Sequence, residues 1–349
     1  MHRITATLMI VILLFSFLSG CRPVEAPDEQ LPVSATAPPT AAAAAQGGDL
    51  LKVALLFGVK GDPFYMEMVR GAQAEADKLG VALTADGPER WDPALQRPIL
   101  ESMVVGGNAA ICIAANDPGA LTDPLKQAAD AGIDIFSVDT FIGDGDYVSG
   151  PVTFPLSYIG SDNVEGGRMA CQALIDAIGG SGKLYIQKVL HGIVTLDERE
   201  QGCRAAIEAT NGAVVLVGVD ASNGDADTAT QQTKTLLERA PDLSGIFLTD
   251  LHSPKGVWKA IREAGLQDSI TVAMFDADAE TIDALRDGTV DIVIAQHPYE
   301  MGQKCVESAA VAAASDSAGI PKRLATGYTV LTRDNLDTEE AQQAQYFAQ

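Results

Sequence analysis

The glycine-rich stretch GGSGK at 179–183 is the nearest approach in this chain to a phosphate-binding loop. Such a loop cradles phosphate only when a strand leads into it and a helix leaves it. The expected order here is the reverse. Leu184 also fills the Ser/Thr position, and Ala177 stands where the opening glycine belongs. Gly179-Gly180 therefore reads as a helix stop followed by a turn. Neither GxSxG nor HExxH occurs, so the common serine-hydrolase and zinc-protease arrangements are missing. His2, His191, His252 and His297 are scattered, without zinc-ligand spacing. Asn223, Asp225 and Asp227 alternate as calcium ligands do, but the EF-hand glycine and bidentate glutamate are absent. A helix N-cap with an acidic first turn accounts for that triplet, and Asp144-Gly145-Asp146 reads as a turn. The expectation is a protein with no catalytic residues, no metal and no cofactor. What remains is a set of polar and aromatic residues at strand ends.

Those ends belong to a regular alternation. Apolar runs at 52–57, 81–85, 109–114 and 133–138 predict strands, with amphipathic helices at 63–79, 92–105 and 118–131 between them. After an irregular stretch the rhythm resumes. Strands are expected near 183–189, 213–219, 244–248, 270–275 and 291–295. Helices are expected at 163–178, 198–210, 225–239, 253–264, 277–286 and 298–314. Continuous apolar strands separated by helices mean parallel sheets covered on both faces. The predicted fold class is α/β, with two doubly wound lobes of similar size. Open parallel sheets bind ligands beyond the carboxyl ends of their strands, so two facing edges form a cleft.

The beginning of the chain carries an address. Residues 8–18 are apolar apart from Ser16, after a short basic start at His2 and Arg3. Eleven residues at ~1.5 Å rise fall short of a ~30 Å hydrocarbon layer, so 1–20 reads as a signal peptide. Leu18-Ser19-Gly20-Cys21 resembles the lipobox of bacterial lipoproteins, which implies lipid attachment at Cys21 and export to the cell envelope. Residues 22–48 hold five prolines, an alanine run and Gly47-Gly48, the composition of a flexible tether. With 24 Lys+Arg against 47 Asp+Glu the net charge is −23, which argues against a nucleic-acid partner. Five cysteines are too few for a disulfide scaffold. Cys112 lies in an apolar strand and reads as a buried thiol. Export permits a Cys171–Cys203 bridge, which the sequence leaves open.

Seven segments carry a family resemblance: 61–80 (GDPFYMEMVRGAQAEADKLG), 137–140 (SVDT), 159–167 (IGSDNVEGG), 197–207 (DEREQGCRAAI), 246–250 (IFLTD), 274–278 (MFDAD) and 294–302 (IAQHPYEMG). From about Leu51 to Asn335 the chain resembles the type I periplasmic sugar-binding proteins, the ribose- and galactose-binding group that serves ABC importers. The resemblance implies three chain crossings between lobes, near Ser161, Gln296 and Thr326. One lobe would then comprise 49–161 plus 297–326, and the other 162–296 plus 327–349, around a three-stranded hinge. It places ligand contacts at Asp62, Phe64, Tyr65, Asp139, Thr140, Arg199, Asn223, Asp250, Asp276 and Gln296. Aromatic faces pack on the C–H face of a sugar ring, while carboxylates, a guanidinium and an amide take its hydroxyls. Departures from ribose binders stand at Gly58, Ala114, Thr140 and Gly224. A longer 140–158 segment brings Phe141, Tyr147 and Phe154 into consideration.

The implied function is capture of a sugar or polyol and delivery to an ABC permease with a cytoplasmic ATPase. The protein would act as a monomer, anchored to the membrane through its lipid. The alternatives are a receptor for an amino sugar or other cation, a chemosensory receptor, and an exported hydrolase. A transcriptional regulator of related fold would need a DNA-binding headpiece, where this chain has a lipobox and tether.

Overall fold

A computed structural model describes residues 50–252, 254–314 and 317–346. The segments expected as signal peptide (1–20) and tether (22–48), with Cys21 between them, and residues 347–349 lie outside the described residues. In chain order the first lobe begins with β1 (Lys52–Leu56), α1 (Pro63–Leu79), β2 (Ala82–Asp86) and α2 (Pro93–Val105). It continues through β3 (Ala110–Ile113), α3 (Thr122–Asp130), β4 (Asp134–Val138) and β5 (Ser157–Ser161). The second lobe follows with α4 (Asn163–Ala177), β6 (Gly182–Lys188), α5 (Val194–Glu208), β7 (Val214–Ala221) and α6 (Ala226–Arg239). Then come β8 (Gly245–Leu248), α7 (Pro254–Ala264), β9 (Thr271–Phe275), α8 (Ala279–Asp287) and β10 (Ile292–Gln296). The chain ends with α9 (Pro298–Ala313), β11 (Arg323–Thr326), β12 (Tyr328–Leu331) and α10 (Glu339–Gln343).

Two six-stranded sheets result, ordered β11-β5-β4-β3-β1-β2 and β12-β10-β9-β8-β6-β7. Strand composition explains the double winding. In β1, Val53 and Leu55 pack with Met68 and Ala72 of α1 on one face. Ala54 and Leu56 pack with Leu100 of α2 and Leu125 of α3 on the other. A strand apolar on both faces must be covered on both. The exception to parallel pairing is β12, which runs antiparallel to β10. The path passes from one sheet to the other after Ser161, after Gln296 and between Thr326 and Tyr328.

Two helix pairs close down on glycine. A Cβ at Gly71 would collide with the Tyr299 carbonyl oxygen, and one at Gly302 with that of Met68. These contacts bring α1 and α9 together. In the second lobe, a Cβ at Gly167 would meet the Arg199 carbonyl oxygen, and one at Gly202 that of Val164. The backbone around Arg199 is thereby seated directly on α4.

Cys112 is not a free thiol: it is disulfide-bonded to Cys305, with Cα atoms 6.2 Å apart, joining β3 to α9 across 193 residues. The second bridge, Cys171–Cys203, ties α4 to α5. Closing so long a loop restricts the unfolded chain, so the double variant Cys112→Ser/Cys305→Ser should lose roughly 2–4 kcal/mol in urea unfolding. An unchanged midpoint would mean that the cross-link contributes nothing.

Candidate ligand-binding site

Each strand of a doubly wound sheet delivers its last residue to the same edge, and the side chains there meet in a cavity of about 220 Å³ between the sheets. Of the ten residues given by the sequence, nine line it: Asp62, Phe64, Tyr65, Asp139, Thr140, Arg199, Asp250, Asp276 and Gln296. Asn223 does not. It is exposed, in the turn before α6 with φ 56°, and its amide donates to the Val189 carbonyl. Its backbone thus hangs on the lining residue Val189 without Asn223 itself joining the lining.

Asp62 caps α1, accepting the Phe64 amide at 2.8 Å, with Pro63 in the first turn. That cap fixes the direction of Phe64 and Tyr65, whose rings meet edge to face at 5.3 Å. The Tyr65 hydroxyl donates to Asp139 Oδ2 at 2.8 Å. Gly58 explains how it gets there: any Cβ at that position would occupy the space of the Tyr65 hydroxyl. The departure at Gly58 thus replaces a polar side chain by room for a phenol.

Asp139 and Asp276 are matched. They follow β4 and β9, with φ 62° and 73°, and each amide donates to the neighbouring strand, to Ile159 and Ile294 respectively. Burial pushes the Asp139 carboxyl up to about 7, against the opposing pull of the Tyr65 hydroxyl and Arg199. Burial also raises Asp276, opposed by Arg199, Gln296 and Tyr346. The Tyr65 bond to Asp139 goes to Oδ2, not Oδ1, and the buried Oε1 of Gln296 takes no hydrogen bond from a described residue. Oδ1 and Oε1 remain to accept from a ligand.

Arg199 is 4% exposed. Its Nε donates to Asn163 Oδ1 at 2.9 Å and its Nη1 to the Thr249 carbonyl at 2.8 Å. The guanidinium lies 4.0 Å from the Phe275 ring centre, and Nη1 is 4.0 Å from Asp276 Oδ2. Asp250 has a different part. Its Oδ2 accepts the Val189 amide and the Thr249 hydroxyl, and its Oδ1 the His252 amide. Those bonds clip the loop after β6 to the end of β8, so Asp250 shapes the wall. Thr140 donates to the Ala115 carbonyl at 2.9 Å.

Several lining residues escaped the sequence reading. Trp91, in the loop after β2, meets His252 from the opposite lobe edge to face at 4.6 Å. His252 Nε2 also lies 3.5 Å from Asp62 Oδ2. Burial works against charge on this imidazole, but Asp62, Asp250 and Asp276 outweigh it and raise its pKa. The signal available was the position of His252, two residues beyond a strand-end aspartate. Asn116 lines the cavity too, its Nδ2 donating to the Gly58 carbonyl at 2.9 Å. Phe141 reaches the cavity while packing on Tyr158 at 4.4 Å. Tyr147 instead turns into the first lobe, bonded to Ser137 and the Ile142 amide. Phe154 packs against that same core. Among the described residues no cluster of three or more His, Cys, Asp or Glu is arranged to hold a metal.

A family profile described as a periplasmic binding protein domain matches residues 53–317. The ribose import binding protein RbsB of Salmonella typhimurium is 29% identical over 257 residues, covering 74% of this chain and 83% of that protein. The xylose/arabinose-binding protein XylF of Sulfolobus acidocaldarius is 24% identical over 292 residues, covering 82% and 72%. An ABC transporter solute-binding protein from Agrobacterium vitis, solved with α-D-tagatopyranose, has a TM-score of 0.80 and 38% identity over 85% of this chain and 100% of that one. Another from the same organism, solved with D-fucose, has a TM-score of 0.75 at 26% identity, covering 84% and 100%. The matched span runs from β1 through α9 and takes in every residue that lines the cleft, and the chain belongs to the periplasmic binding proteins, as a type I sugar-binding ABC transporter solute-binding protein.

Proposed function

We propose that this protein is the lipid-anchored receptor of an ABC importer, closing its two lobes around one monosaccharide and presenting it to a membrane permease. Two aspartates from opposite sheets, each oriented by a tyrosine hydroxyl, together with Arg199 and two aromatic rings in a cavity of about 220 Å³, carry this reading. That volume lies below the ~300–1,000 Å³ of drug-sized sites and suits a single small ring. Every sugar hydroxyl both donates and accepts. Asp139 Oδ1 and Gln296 Oε1 accept, Arg199 donates, and Phe64 offers a face for C–H packing. The relative solved with α-D-tagatopyranose makes a hexose in its pyranose form the first candidate. The three chain crossings supply the hinge. Leu18-Ser19-Gly20-Cys21 supports attachment at Cys21, holding the body on the outer face of a membrane.

Thermal shift against D-tagatose, other hexoses, pentoses, polyols and amino sugars tests the reading. A ligand at 100 Kd adds ~2.7 kcal/mol and moves Tm by a few degrees. A selective response to one neutral sugar is expected. Silence across the panel would sink it. Five cavity carboxylates, from Asp62, Asp117, Asp139, Asp250 and Asp276, against Arg199 and His252 make an amino sugar the second reading. A response confined to amines would establish it.

A further inference from the structure

We infer that Tyr346, from the segment after α10, is a positioning residue of the cleft that holds Asp276 and Gln296 in their ligand-facing geometry. What this does for sugar binding rests on the receptor reading above; the geometry does not.

Tyr346 is 2% exposed although it lies three residues from the end of a 349-residue chain. Its hydroxyl is 3.0 Å from Asp276 Oδ1 and 3.1 Å from the Gln296 amide nitrogen. A phenol has one proton. The amide can only donate, so the phenol oxygen accepts from Gln296, and its proton goes to the carboxylate. The Gln296 carbonyl, at 3.4 Å, is the more distant acceptor. The Tyr346 amide donates to the Ala277 carbonyl at 2.9 Å. Its ring meets Phe64 edge to face at 6.0 Å. One side chain therefore touches an aromatic of the first lobe, a carboxylate of the second and the crossing strand between them.

The parallel with Tyr65 shows what this contact does. Asp139 and Asp276 share a strand-end position, a left-handed φ and an amide bond to the next strand. Each also accepts one buried phenol, at 2.8 and 3.0 Å. Tyr65 lies in the first turn of α1, 74 residues before its aspartate, whereas Tyr346 arrives 70 residues after its own. Oδ1 of Asp276 is occupied by Tyr346 and by Gln296 Nε2 at 2.8 Å. The carboxylate cannot rotate without breaking both bonds, which leaves Oδ2, on the Arg199 side, for the ligand.

The hydroxyl also acts on charge. Asp276 is buried, faced by Arg199 from α5 and Gln296 from β10, with Asp62, Asp139, His252 and Tyr328 near enough to interact. Burial favours its neutral form, and a phenol donor favours the carboxylate. Removing the donor must move the Asp276 titration upward.

The test is Tyr346→Phe in the full-length protein, which keeps the ring against Phe64. Aspartate labelled with ¹³C at the side-chain carboxyl, with Asp276→Asn as the assignment control, reports the Asp276 midpoint without any ligand. That midpoint should rise by roughly one pH unit. D-Tagatose affinity at pH 7 should fall roughly tenfold, and the loss should shrink as pH is raised through the Asp276 midpoints measured in the two proteins. An unchanged Asp276 midpoint overturns the inference, even if affinity or Tm falls, because a purely structural tail would leave the titration alone. Wild-type protein that binds no sugar would instead strike the receptor reading, while the titration still decides the role of Tyr346.

Discussion

Arg199→Ala is expected to weaken sugar binding at least a hundredfold, about 2.7 kcal/mol, and to destabilise the unliganded protein more at pH 8 than at pH 5. The guanidinium is buried, held by Asn163 and the Thr249 carbonyl and stacked on Phe275. It sits on the Oδ2 side of Asp276. Truncating one partner of a buried charge pair typically costs ~3–5 kcal/mol, because the other charge is left uncompensated. Asp276 has an escape in taking up a proton. Its carboxyl is already raised by burial, and loss of Arg199 raises it further. A group with a raised native pKa contributes fully below its unfolded value and loses that contribution as pH rises through the native one. The variant's deficit should therefore grow from pH 5 to pH 8 in urea unfolding. Arg199→Lys should recover stability in part but little affinity, since an ammonium cannot span Asn163 and Thr249 while stacking on Phe275. Wild-type affinity in the alanine variant would remove Arg199 from the ligand's contacts.

How far the sequence revealed this site depends on where each residue's constraint lies. The apolar runs of β1, β3, β4 and β6 to β10 are local, as are the helical periods between them, and both could be read directly. β5 (SYIGS) and β11 (RLAT) could not. β5 is buried with one large aliphatic residue, because Gly160 leaves space for the Tyr158 ring rather than filling it. β11 is an edge strand whose exposed Arg323 reads as loop. Cys112 looked like a lone thiol because its partner is 193 residues away. Asp139 and Asp276 were visible as strand-end aspartates. Their left-handed backbones and tyrosine donors were not, since these contacts span 74 and 70 residues. Asn223 marks the opposite case: a residue type suited to a ligand that stands in the turn before α6, outside the cavity lining.

Asp139→Asn is expected to weaken sugar binding about a hundredfold at pH 8 and to remove a pH dependence that the wild-type protein shows. Burial, opposed by Tyr65 and Arg199, leaves Asp139 titrating at about 7 in the unliganded cleft. A sugar hydroxyl that donates to Oδ1 needs the carboxylate form. Below pH 7 the site must release a proton to bind, so affinity should drop roughly tenfold for each unit of acidification. The same shift makes the unliganded protein less stable as pH rises from about 4 to 7, because the buried charge is costly until a ligand compensates it. Ligand-induced stabilisation should thus be greatest where the unliganded protein is weakest, above pH 7. An asparagine that keeps the Tyr65 bond on its single oxygen turns an uncharged NH2 donor toward the ligand, so its affinity should be low and flat across pH 5 to 8. Proton uptake or release in calorimetry, compared between buffers of different ionisation enthalpy, separates the cases. Release of close to one proton per sugar at pH 6 in wild type, and none in Asp139→Asn, is the expected result. Equal proton release in both would place the titrating group elsewhere, with His252 beside Asp62 the next group to test.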